Sequence, residues 1–180
     1  MSHLTLNSFP GFPTEIGFYV SGMEEVREQL RQAVEGMSDD HLGRPAITGA
    51  HAIGALVLHI GEAEWYWMQC VISGQEVTDG IRGTPYWDVL KDPLSFSEKN
   101  YSAGFCLNEI KKLREQTHET LTAFEDSDLE RIFSIERGGE IHERSLRWIL
   151  HHLIDHEAQH KGQILMLKRL IGLKNEGLFA

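Results

Sequence analysis

All five prolines, Pro10, Pro13, Pro45, Pro85 and Pro93, fall outside four long stretches whose apolar residues recur with the 3.6-residue period of an α-helix. Proline inside a helix removes a backbone hydrogen bond and clashes with the preceding turn, so this distribution reads as four helices and their connections. The first stretch runs from about Thr14 to Met37, with Thr14 as a candidate N-cap and Ile16, Val20, Met23, Val26, Leu30 and Val34 on one stripe. The second runs from about Thr48 to Ser73, the third from about Ser97 to Phe124, and the fourth from Ser145 to Ile171, with Gly172 placed to end it. Gly54 and Gly61 weaken the second helix intrinsically and point to close helix packing or to backbone approach by a ligand. On the third, Lys111, Lys112, Arg114 and Glu115 read as a solvated side. At 180 residues and 41% hydrophobic content the chain supports one core, so the expected architecture is an all-α four-helix bundle in a single domain, 1–180. A long crossover, Gly74 to Phe96, links helices two and three and has the length of a lid or binding loop. Arg131–Glu136 and Glu140–Arg144, around Arg137-Gly138-Gly139, read as a small hairpin before the fourth helix.

A formal charge of −10 without clustered Lys and Arg argues against a nucleic-acid partner. Two cysteines, Cys70 and Cys106, both in helical patterns, give no disulfide framework and suit a reducing compartment. Cys70 reads as a small core residue. The longest apolar run, around Ala52 to Ile60, is too short to span a bilayer, and no Lys or Arg precedes Arg27. The expectation is a cytoplasmic protein with no membrane partner.

Chemistry enters with the fourth helix. His156 and His160 are one turn apart, so their imidazoles stack on one face and can share a metal ion. They fall on the stripe Ile149, Leu153, His156, His160, Ile164, Leu167, which reads as buried, and a buried imidazole needs a partner. That partner is either a metal or a carboxylate or hydroxyl on a neighbouring helix. A third ligand must come from another element, and His59 is the best candidate, sharing a face with Ala52, Leu56, Ala63 and Tyr66. His152 lies eight residues from His160, about 12 Å at ~1.5 Å per residue, so it belongs beside the site or in the core. His118, His142 and His151 read as solvated, and His3 and His41 as loop residues.

Leu58-His59-Ile60 with the acidic and aromatic residues that follow it, together with His156-x-x-x-His160-x-Gly162-Gln163-Ile164, resembles the DinB/YfiT-like superfamily of metal-dependent enzymes. The resemblance covers nearly the whole chain. It implies a DinB-like four-helix bundle in which His59, His156 and His160 bind a divalent metal such as zinc or nickel. It also implies a homodimer and, in some relatives, S-transferase or isomerase chemistry with a low-molecular-weight thiol such as bacillithiol or mycothiol.

On that footing the expected function is a thiol-dependent S-transferase acting on a small electrophile, held near Trp65, Tyr66 and the Gly74–Phe96 crossover. Three protein ligands leave a position open where a metal can generate a nucleophile at neutral pH. Glu62, three residues from His59, either orients a ligand or moves a proton, or is a surface carboxylate. Gln163, three residues after His160, either bonds substrate or a ligand, or is a helix-packing amide. The group Trp65-Tyr66-Trp67 reads as core or dimer interface before substrate cage.

Two other readings compete. His156-Glu157-x-x-His160 satisfies the zincin pattern, with Glu157 as general base, but Met166 stands where a third histidine would, and only Glu176 offers a downstream carboxylate. A metal-dependent hydrolase or protease therefore fits less well. The other rival is a non-catalytic metal-binding or stress-associated bundle, against which stands the count of three good ligands instead of the four that close a structural site.

Overall fold

The computed structural model describes residues 5–92 and 96–173. His3, Pro93 and Glu176 lie outside the described residues. Four long helices build the bundle: α1 (Thr14–Val34), α3 (Ile53–Trp65), α5 (Ala103–Leu121) and α6 (Leu146–Leu170), with short α2 (Asp39–Gly43) and α4 (Asp79–Arg82) in the connections. α3 packs against α5 and α6, and α1 against α6. Among the described residues no helix is long and apolar enough to cross a membrane.

Helix ends depart from the sequence reading for local reasons. Pro13, not Thr14, occupies the N-cap of α1 and has no side-chain acceptor. Asp126, from the 3-10 turn Asp126–Glu130, replaces it, its Oδ1 accepting from the Glu15 and Ile16 amides at 3.0 Å each. α3 starts five residues later than expected, since Gly49 adopts a left-handed φ of +81°. α5 starts at Ala103, after left-handed Asn100 separates it from the turn Ser97–Lys99, and Ser102 caps it. His41 lies in α2, not in a loop. α6 ends as expected: Gly172 at φ +80° donates to Arg169 O, and Leu173 to Lys168 O, the Schellman arrangement.

Both α3 glycines serve close packing. A Cβ at Gly61 would stand 2.8 Å from Leu113 Cδ1 and 2.9 Å from Ile110 Cγ2, and one at Gly54 would fall on the Phe96 ring. Phe96 thereby pins the end of the crossover to the bundle. After Trp65 the second helix widens into a π-helical turn, Tyr66–Ile72, a feature frequent at functional sites.

The hairpin pairs β1 (Ile132–Arg137) with β2 (Glu140–Ser145) through the two-residue turn Gly138-Gly139, both at positive φ. Arg137 is thus the last strand residue and not part of the turn, and it faces Glu140 across the ladder.

At the waist of the bundle each long helical segment contributes one buried charge. Arg27 (α1), Glu64 (α3), Arg114 (α5) and Glu157 (α6) are each at most 9% exposed. Arg27 donates through Nε to Glu157 Oε1 at 2.6 Å and through Nη2 to Glu64 Oε2 at 2.7 Å. Arg114 donates through Nε to Glu64 Oε1 at 2.6 Å and through Nη2 to Glu157 Oε2 at 3.1 Å. Arg114 is therefore a core residue, contrary to its reading as part of a solvated face. This layer separates an apolar cluster around Ile16, Met23, Leu121 and Ile149 from one around Leu30, Leu58, Ile110 and Ile164.

Candidate metal centre

The three histidines singled out in the sequence converge. One ring nitrogen from each of His59, His156 and His160 lies within 4.8 Å of the others, and among the described residues no fourth His, Cys, Asp or Glu joins them. His59 approaches from α3, with its ring centroid 5.2 Å from that of His156 and 5.0 Å from that of His160. His156 and His160, one turn apart on α6, hold their Nε2 atoms 3.2 Å from each other.

The outward nitrogens of two of these rings are occupied. Glu62 Oε2 accepts from His59 Nδ1 at 2.9 Å, and Gln163 Oε1 accepts from His160 Nδ1 at 2.9 Å. Both acceptors require the proton on Nδ1, which leaves the Nε2 lone pair of each neutral ring free. A metal-binding histidine is ordinarily held in this way by a carboxylate or amide behind it. Two imidazole nitrogens facing each other at 3.2 Å, one of them fixed as a lone pair, fit a divalent cation of the kind that imidazole serves.

The other Glu62 oxygen, Oε1, accepts from the Asp88 amide at 2.7 Å, tying the crossover to the histidine it orients. Asp88 is held there in a left-handed conformation, φ +52°. Glu62 is thus half-buried, with one oxygen on a histidine and the other on the crossover. Gln163 likewise contacts a histidine and is itself exposed.

Beside the imidazoles opens a cleft of about 760 Å³. His59 and His156 form one wall, Tyr66 and Trp67 from the π-turn another, and Trp87 from the crossover faces them. Tyr66 and Trp67 are thus cleft residues and Trp65 alone of that trio is buried core, which corrects the reading of the three as one group. His156 is half-buried on the cleft wall and His160 half-buried beside it, instead of deep on the α6 stripe. The stripe is occupied at that level by Glu157, turned the other way into the charged layer.

His152 also reaches the cleft, stacked on Trp148 with centroids 4.8 Å apart, and stays outside the metal-binding group. His118 is half-buried against Phe9 and Phe12, with Nε2 3.1 Å from Glu24 Oε1, so it is not a solvated residue. Cys106 is buried, and burial pushes its thiol up to about 12. Cys70 is half-buried in the π-turn, and burial raises its thiol too.

The mycothiol-S-transferase family model matches residues 20–172. The chain belongs to that family. As a mycothiol-S-transferase family member it shares its fold with solved DinB-like structures. One is a DinB-like protein from Bacillus cereus ATCC 10987, 20% identical, covering 90% of this chain and 96% of the other at a TM-score of 0.64. Another is YfiT from Bacillus subtilis, described as a probable metal-dependent hydrolase with an unusual four-helix bundle topology. It is 21% identical, with 87% of each chain covered and a TM-score of 0.61. No curated protein matches the chain. The DinB/YfiT-like resemblance read from the sequence is therefore shown for this family member, as is its four-helix bundle.

Burial, reinforced by the neighbouring His160, His59 and His152, lowers the His156 imidazole to about 3. Burial would raise the Glu64 carboxyl, but Arg114 and Arg27 outweigh it and hold Glu64 at about 2. Between the ordinary histidine value of 6.5 and about 3, the unfolded chain binds a proton at residue 156 that the folded chain refuses. Stability is therefore lost as pH falls through that window, and Glu64 adds a further loss between 4.5 and about 2. The metal-free protein is expected to show a Tm that declines steadily from pH 7 to 4.5, with a shallower decline in His156→Ala. Equal slopes in the two proteins would contradict the assignment.

Proposed function

We propose that this protein is a divalent-metal-dependent S-transferase that joins a low-molecular-weight thiol to a small electrophile. The observation that carries the reading is the set of three converging imidazoles, two of them backed at Nδ1 by Glu62 and Gln163, that opens on a cleft with no fourth His, Cys, Asp or Glu beside it among the described residues. His59, His156 and His160 would hold the metal, with zinc or nickel as the ions suited to imidazole donors. A divalent metal in such a site lowers the pKa of a thiol or water that reaches its open position and so supplies a nucleophile at neutral pH.

The chain's own residues do the rest. Glu62 and Gln163 fix which nitrogen of His59 and of His160 faces inward, so the donor set is arranged before any ligand arrives. Tyr66, Trp67 and Trp87 offer flat apolar walls that can hold an electrophile and exclude part of the water from it. The thiol loses its proton to solvent at the cleft mouth, the sulfur forms a bond to the electrophilic carbon, and the leaving group departs with the electron pair of the bond it breaks. The mycothiol-S-transferase description of the family supports a thiol as the nucleophile. The YfiT likeness concerns the fold, and the same site would activate water in a hydrolase.

The test is conjugation of thiols to an alkyl-chloride fluorophore by protein loaded with zinc or nickel. Chloride release and thioether formation are expected in equal amounts, to stop on chelation, and to return when the metal is restored. Conjugation that is indifferent to chelation refutes the reading, as does metal-dependent chloride release that needs no thiol.

A further inference from the structure

The crossover meets the metal-binding helices at one carboxylate. Its segment 84–91 buries two side chains, Tyr86 and Val89, and between them Trp87 lines the cleft and packs edge-on against Trp65, ring centroids 5.8 Å apart. The amides of Thr84, Trp87 and Lys91 donate to carbonyls of the crossover itself. That of Asp88 reaches α3 instead, donating to Glu62 Oε1 at 2.7 Å. The Asp88 side chain is exposed and pairs with Lys91 at 3.6 Å, so its link to the bundle is made by the main chain.

Two donors thus share Glu62, His59 Nδ1 on Oε2 at 2.9 Å and the Asp88 amide on Oε1. A cation on the far nitrogen of His59 draws electron density from the ring, makes Nδ1–H a stronger donor and holds the carboxylate in one rotamer. A carboxylate held in place is a better acceptor for the Asp88 amide. Conversely, the amide on Oε1 restrains the group that orients His59. Such coupling is reciprocal: if the metal steadies residues 84–91, whatever steadies residues 84–91 tightens the metal. The Asp88 backbone sets the condition, because its φ of +52° is a conformation that aspartate, asparagine and glycine adopt far more readily than β-branched residues.

We propose that Asp88 is a positioning residue of the metal centre, acting through its backbone amide and Glu62, so that metal binding at the histidines and the seating of residues 84–91 as a cleft wall are coupled. This rests on the three-histidine metal site and not on the transferase chemistry. Without metal, the wall that carries Trp87 is held less firmly. A ligand that packs on Trp87 steadies the same segment and therefore slows loss of the metal.

Zinc affinity of the full chain, measured by competition with a chromophoric chelator, tests the backbone role without any electrophile. Asp88→Asn and Asp88→Gly remove the charge but tolerate the left-handed turn, and are expected to stay within about threefold of native. Asp88→Val disfavours the turn and is expected to bind zinc about tenfold more weakly, the low end of the loss that follows removal of an outer partner. A native affinity in Asp88→Val overturns the proposal, as does an equal loss in all three variants, which would make the carboxylate the cause. Amide hydrogen exchange tests the reciprocal effect on the unaltered chain. Zinc is expected to slow exchange over residues 84–91 by about fivefold or more, and Glu62→Ala, saturated with zinc, is expected to lose that protection while α6 keeps its own. Exchange over 84–91 that ignores zinc, or that is protected equally in Glu62→Ala, overturns the coupling. A native chain that takes up no zinc removes the three-histidine assignment, and the coupling with it.

Discussion

Glu157→Ala is expected to destabilise the protein by about 3–5 kcal/mol, the loss typical of breaking a buried ion pair from one side. Glu157 accepts from Arg27 and Arg114 and is 1% exposed, so its removal leaves two guanidinium groups in the core with half their carboxylates gone. Water cannot easily take its place, because apolar clusters pack on both sides of the layer. For a chain of this size the fall in Tm is roughly 6–20 °C. Urea unfolding of the two proteins measures it, and a midpoint unchanged by the substitution would show that the layer does not hold the four helices together. The result also bears on chemistry. Glu157 occupies the general-base position of the zincin pattern, yet both its oxygens are committed to arginines, so the carboxylate has no path to a substrate in the cleft.

His156→Ala is expected to remove metal binding, taking the bound metal per chain from near one to near zero, and thiol conjugation with it. The remaining His59 and His160 offer two donors, too few to retain a divalent ion against dilution. The stability cost should be small by comparison with Glu157→Ala, since His156 is half-buried at the cleft and its loss exposes no charge. Glu62→Gln and Gln163→Ala are expected to fall between, lowering metal affinity about 10–100-fold through the orientation of His59 and His160. Metal retained in full by His156→Ala would refute the ligand assignment. Conjugation retained without metal would refute the mechanism alone.

The bundle and the imidazole cluster were legible in the sequence because both are written in helical periodicity. His156 and His160 share a face by spacing alone, and His59 is conspicuous among the small and apolar residues of α3. The supporting acceptors, Glu62 and Gln163, were also reachable, each three residues from a ligand. The charged layer was not. Arg114 sits among Lys111, Lys112 and Glu115, so its neighbours made it look solvated, and only the pairing of four residues far apart in the chain makes burial of any one of them tolerable. Arg137, which lines the cleft, was hidden for a different reason. Next to two glycines it reads as turn, and its direction toward the cleft depends on the strand register and on where Phe133 anchors the hairpin. The cleft roles of Tyr66 and Trp67 depend on the π-turn, whose widened register no regular period announces.

Cobalt substitution tests the central claim most directly. Titration of the metal-free protein with cobalt(II) is expected to give a visible spectrum that saturates at one equivalent per chain. Azide or a thiol should then shift it, and His59→Ala should prevent it from forming. A spectrum that forms without His59, or that responds to neither azide nor thiol, would contradict an open site built from these three histidines.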